Sequence, residues 1–124
     1  MRIIFTIFLF ISFDAQSDVF IIPPSDNAQE RIQEALILAQ PGDEIHLISG
    51  VYKIEDGLSL DVDNILFSGE GHDKTILDFT DQMTGAQGLL VTSNEVMLKD
   101  FAIINTKGDG IKTIQPNEYI TLNA

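Results

Sequence analysis

The chain of 124 residues contains no cysteine and no tryptophan. Without cysteine there is no disulfide, no thiolate nucleophile and no cysteine-ligated zinc. Cationic charge is scarce too. Seven Lys and Arg stand against nineteen Asp and Glu, for a formal net charge of −12. Such a chain is repelled by nucleic acid and by anionic membrane surfaces, and by a polyanionic polysaccharide unless a divalent cation bridges the two. Its acidity also serves plain solubility. Long apolar runs are missing with one exception. Ile3 to Phe13 is broken only by Thr6 and Ser12, follows Met1-Arg2 and precedes Ala15-Gln16-Ser17. A positive start, a short apolar run and small residues at the two positions a peptidase reads make a secretory signal peptide, with cleavage expected after Ser17. The alternative, a membrane anchor, needs roughly 20 apolar residues, about twice this run. A secreted or periplasmic location follows, with a mature chain of residues 18–124. Losing Arg2 and Asp14 together leaves the net charge unchanged.

What is present is repetition. Gly57-Leu58-Ser59-Leu60 is followed by Ile65-Leu66-Phe67, Gly88-Leu89-Leu90-Val91 by Val96-Met97-Leu98, and Gly110-Ile111-Lys112-Thr113-Ile114 by Tyr119-Ile120-Thr121-Leu122. The glycines lie 31 and 22 residues apart. Short strands and polar turns at a period in the low twenties point to an all-β solenoid. Strands are expected at 19–22, 44–48, 51–54, 58–62, 65–68, 75–79, 89–92, 96–98, 102–105, 111–114 and 119–122. Stacking would set Leu58 over Leu89 over Ile111, and Ile65 over Val96 over Tyr119. The longer first interval places a loop near Asp78 to Gly85, the kind of segment that carries a site, although no residue in it stands out. Before the repeats, Ala28, Ile32, Ala35, Leu36 and Ala39 share one face of a helix over about 26–40. Asp26 and Gln29 form a candidate capping box, and Pro41-Gly42 stops the helix. Laid across the first turn, this amphipathic helix would cap the open end; a partner-binding helix is the alternative.

Pro41-Gly42-Asp43-Glu44-Ile45-His46-Leu47-Ile48-Ser49-Gly50-Val51-Tyr52, then Asn64-Ile65-Leu66-Phe67-Ser68-Gly69-Glu70-Gly71 and Lys74-Thr75-Ile76-Leu77-Asp78, resemble the first coils of right-handed parallel β-helix repeat proteins of the pectate-lyase-like superfamily. Exported parallel β-helix repeat proteins without assigned activity are the members it resembles most, over residues 26–122. The resemblance implies a right-handed parallel β-helix of about three to four coils spanning 43–124. Such proteins usually run to many coils, so the chain is expected to be the front end of a longer protein. An uncapped last coil would favour self-association.

The candidate chemistry is sparse. Asp61 and Asp63, two residues apart beside a turn, could share a face as acid and base or offer oxygen ligands to calcium, or be a solvated turn. Asp109, between Gly108 and Gly110, suits local turn bonding. Lyase-type elimination implies an arginine base, and the mature chain's one arginine, Arg31, falls on the helix. Lys99, Lys107 and Lys112 match no lyase motif, and a lysine needs burial to act as a base. His46 is outward in its strand and His72 sits in a turn, unpaired in sequence and short of the ligands a metal needs. Asn64, Asn94 and Asn117 precede successive strands and suggest an asparagine ladder at left-handed corners. Met1, Met83 and Met97 form no copper cluster. No catalytic, cofactor or metal residue is assigned. The expected function is an exported, non-catalytic protein binding a carbohydrate or a partner along a strand face. The alternative is the N-terminal portion of a polysaccharide lyase or glycoside hydrolase with catalytic coils beyond Ala124, which rests on fold likeness alone.

Overall fold

Strand alternation decides which side chains enter the core, and the computed structural model, which describes residues 16–114 and 120–123, shows it most clearly in β2 (Glu44–Leu47), β4 (Leu58–Leu60), β6 (Thr75–Asp78) and β7 (Leu89–Val91). The elements are β1 (Val19–Ile22), α1 (Ala28–Leu38), β2 (Glu44–Leu47), β3 (Gly50–Lys53), β4 (Leu58–Leu60), β5 (Leu66–Ser68), β6 (Thr75–Asp78), β7 (Leu89–Val91), β8 (Val96–Lys99), β9 (Ala102–Ile104), β10 (Ile111–Thr113) and β11 (Ile120–Asn123). All strand pairing among the described residues is parallel. One sheet of five strands has the order β1-β2-β5-β8-β11, and two sheets of three have the orders β10-β7-β4 and β3-β6-β9.

This corrects the expected fold class. The described chain is a mixed α/β arrangement of one helix with three short parallel sheets, not an all-β right-handed parallel β-helix. The strand ladders run within each sheet separately, through strands of three or four residues. The helix is part of the core rather than an accessory: Ala28, Ile32, Ala35 and Leu36 are buried together with Ile45, Leu47, Leu58 and Leu60. The repeat nevertheless sets the register. Leu58 pairs with Leu89 and Leu89 with Ile111, as the spacing predicts. In the second column Val96 pairs with Ile120, one residue on from the expected partner. Tyr119 and Asn117 lie outside the described residues, as does most of the expected signal segment.

Alternation is plain in β2, where Ile45 and Leu47 are buried and Glu44 and His46 half-exposed. The largest enclosed side chains are Tyr52, Phe67 and Phe79. Phe67 meets Phe101 edge-on at 5.1 Å between ring centres, a contact worth about 0.5–1.5 kcal/mol beyond area burial. Of the repeat glycines, Gly88 has a steric reason. Leu58 N–H donates to the Gly88 carbonyl, and Leu89 N–H to that of Gly110. A Cβ on Gly88 would lie 2.6 Å from the Gly110 oxygen, so only glycine lets the layers approach this closely.

Two local expectations change. The helix begins after Asn27, with no side-chain cap. Gln29, the supposed capping-box partner, instead bonds the main chain of the neighbouring segment: Asp56 N–H donates to its Oε1 at 3.0 Å, and its Nε2 donates to the Gly57 carbonyl at 3.4 Å. One turn on, Gln33 accepts from Ser59 N–H at 2.9 Å and donates to the Ser59 carbonyl at 3.0 Å. The two amides stand in for a neighbouring strand on the free edge of β4. The corner stack is not an asparagine ladder either. Asn64 is left-handed (φ 56°), but the left-handed residues in register with it are Gly42 (φ 97°) and Glu95 (φ 57°).

Candidate functional site

Parallel register on the five-stranded sheet lines up outward residues that are far apart in sequence. Ile21 pairs with His46, His46 with Ser68, and Ser68 with Lys99. Beside that row run Val19, Glu44, Leu66 and Met97. Val19 and Ile21 are each more than half exposed, so apolar and hydrogen-bonding groups share one face.

At its centre is a connected polar group. Ser68 Oγ donates to Glu44 Oε1 at 2.9 Å. His46 Nδ1 lies 2.9 Å from the same Ser68 oxygen. With that hydroxyl donating its hydrogen bond to the Glu44 carboxylate, the tautomer that completes the arrangement donates from the imidazole Nδ1 to Ser68 Oγ. On the other side, His46 Nε2 is 3.8 Å from Glu70 Oε1, too far for a hydrogen bond. Glu70 Oε1 accepts from Ser49 N–H. A serine, a histidine and two carboxylates suggest nucleophilic catalysis, but the proton flow runs the wrong way. An activated serine must donate to the imidazole, whose other nitrogen a carboxylate orients. Here the ring donates to the hydroxyl, and Ser68 is only 1% exposed. The group orders the face and holds its side chains in place.

The other sequence candidates are separated. Asp61 Oδ1 accepts from the Thr92 hydroxyl at 2.7 Å, and Asp63 Oδ1 from Asn94 N–H at 2.8 Å. Both brace the turn of the next repeat. Asp109 is exposed, and its carbonyl accepts from Gly88 N–H. His72 is exposed in its turn. Lys107 N–H donates to Gln82 Oε1, Lys112 is exposed and Lys99 half-exposed. Met83 is exposed, far more so than Met97. Arg31 lines a cleft of about 240 Å³ with Phe20, Ile21, Glu34 and Leu38. No group of three or more His, Asp or Glu able to hold a metal ion occurs among the described residues.

Sequence reasoning missed two polar residues. Gln82 is 1% exposed and bonds the Thr84 and Gln87 carbonyls, pinning the long connection inward. Ser68 could have been found, since it lies 22 residues after His46, the interval between the last two repeat glycines. At the end of β6, where that connection begins, Asp78 Oδ1 accepts from the Thr80 hydroxyl and from Asn105 Nδ2. These bonds, the Thr80 one foremost, hold its carboxyl below the usual carboxylate range. Burial pushes the Tyr52 phenol up to about 12, with Glu70 adding to the effect.

Compared with family models, curated proteins and solved structures, the chain matches none. No helix among the described residues is long and apolar enough to cross a membrane.

Proposed function

We propose that the chain is an exported protein, released by cleavage after Ser17, that binds an uncharged carbohydrate or another exported protein across the outer face of the five-stranded sheet. One observation carries the binding reading: on that face Val19, Ile21 and Met97 are exposed apolar neighbours of the ordered Glu44–His46–Ser68 group. Apolar patches flanked by fixed donors and acceptors suit a ligand with both faces and hydroxyls, or a protein surface of mixed character. The direction of the Ser68 proton supports binding over hydrolysis. The acidity of the chain argues against an unassisted polyuronate ligand. Export rests on the leader-like first 17 residues.

The test is a glycan panel, with and without calcium, together with co-purification from the exported fraction, for the wild type and for Ile21→Glu and Met97→Glu. Binding that both substitutions abolish, with folding intact by circular dichroism, is the expected result. Release of unsaturated sugars from polyuronates would overturn the non-catalytic reading. Binding indifferent to both substitutions would remove the face from consideration.

A further inference from the structure

Asp43 is a buried carboxylate, 3% exposed, at the turn into β2. Its Oδ2 accepts from Gln40 N–H at 2.8 Å, and its Oδ1 accepts from the backbone N–H of Asp18, also at 2.8 Å. Among the described residues no Lys, Arg or His lies within ion-pair distance of it; the ion pairs present both belong to His46. An enclosed carboxylate with no cation is costly unless something compensates it. The nitrogen bonded to Oδ1 belongs to the first residue after the expected cleavage point.

We propose that cleavage of the Ser17–Asp18 bond creates a cation at this carboxylate, and that the new α-ammonium of Asp18, itself on the exposed side, forms an ion pair with the buried Asp43 that locks β1 onto β2. The proposal rests on the cleavage point of the export reading. In the step itself, a signal-peptidase-type hydrolase adds water across the peptide bond. The bond between the Ser17 carbonyl carbon and the Asp18 nitrogen breaks, and hydroxide completes the Ser17 carboxyl. The released amine takes up a proton at neutral pH. A neutral amide donor 2.8 Å from Oδ1 becomes a charged one at the same atom. Charge-assisted bonds are roughly twice as strong as neutral ones. Asp18 is already placed by its carbonyl, which accepts from Glu44 N–H at 2.9 Å. Processing then does more than remove the leader, because it completes the first strand pairing of the five-stranded sheet.

The experiment compares the chain exported and processed by a bacterial host with a version carrying Gly-Ser inserted between Ser17 and Asp18. Cleavage of the second leaves the α-amine two residues before Asp18 and an ordinary amide N–H facing Asp43. Each is made with and without Asp43→Asn. Urea titration is expected to show the natural terminus favouring the folded state by about tenfold over the extended one, and the difference should vanish with Asp43→Asn. Equal stabilities, or a difference that persists with Asp43→Asn, would overturn the latch. If D43N does not fold, the acylation rate of the α-amine decides: a slow rate at Asp18 and a fast one in the extended chain support it, and equal rates overturn it. Intact mass tests the cleavage point separately. A mature chain beginning elsewhere than Asp18 would sink the export reading's cleavage point and the latch together, whatever the stabilities.

Discussion

Replacing Tyr52 by Phe removes one oxygen from a fully enclosed position in the core. Tyr52 is fully buried in β3, and its hydroxyl lies 2.7 Å from the Ile22 carbonyl and 2.6 Å from the Ile48 carbonyl. The two acceptors are not equivalent. Ile22 also accepts from Ile48 N–H at 3.1 Å, so it keeps a donor when the phenol is lost, whereas Ile48 loses the tyrosine bond. Ring volume is nearly conserved, so cavity terms are small. Ile48 is half-exposed, so the loss is that of one ordinary hydrogen bond, and Tyr52→Phe should lower stability at pH 7 by about 0.5–1.5 kcal/mol. A second signature follows from ionisation. The folded-state pKa is raised from 10.0 to about 12. A raised pKa gives stability that is fully present below pH 10 and is lost as pH rises from 10 towards 12. The loss amounts to at most about 3 kcal/mol. Phenylalanine cannot ionise, so the variant should be less stable than wild type at pH 7 but lose less of its stability between pH 9 and 11.5. Urea midpoints by circular dichroism across that range measure both. An unchanged midpoint at pH 7, or parallel pH curves, would refute the assignment of this hydroxyl to the β1–β2 junction.

Gln33→Ala should cost about 1–2 kcal/mol by leaving the Ser59 edge groups to water, and Gln33→Glu should weaken the pairing because it loses the donor to the Ser59 carbonyl; chemical denaturation measures both. Glu95, held at φ 57°, should tolerate asparagine with a gain of about 0.5–1 kcal/mol, since asparagine adopts the left-handed region more readily; a lower thermal midpoint would contradict the strain argument. Asp78, with a depressed carboxyl, contributes stability that is present above the ordinary Asp range and lost as pH falls through the folded value. Thr80→Ala should therefore raise the Asp78 titration midpoint by NMR and make the chain less resistant to acid.

Periodicity was the strongest signal in the chain. Repeated glycines, alternating apolar positions and polar turns determined where strands form and which faces turn inward, because side-chain alternation and close layer approach are local demands on residue type. The helix face was legible for the same reason, since Ala28, Ile32, Ala35 and Leu36 recur at helical spacing. The arrangement of these elements was a tertiary matter. The ladders form three separate short sheets, and one helix supplies part of the core. A repeat by itself reports neither sheet closure nor the helix's share of burial.

Side-chain partners across repeats were likewise decided by the fold. Gln29 and Gln33 read as ordinary helix polar residues until the edge of β4 is set beside them. His46 read as a solitary outward histidine until register brought Ser68 to it. Glu95 occupies the corner expected for Asn94 because the turn preceding β8 is offset by one residue. The sequence by itself determined the strands, their inward faces and the leader-like first segment, all properties of residues near one another in the chain. Only the tertiary structure decided that Asp43 is buried against the Asp18 nitrogen, because that pairing depends on β1 lying beside β2 with a helix between them in sequence.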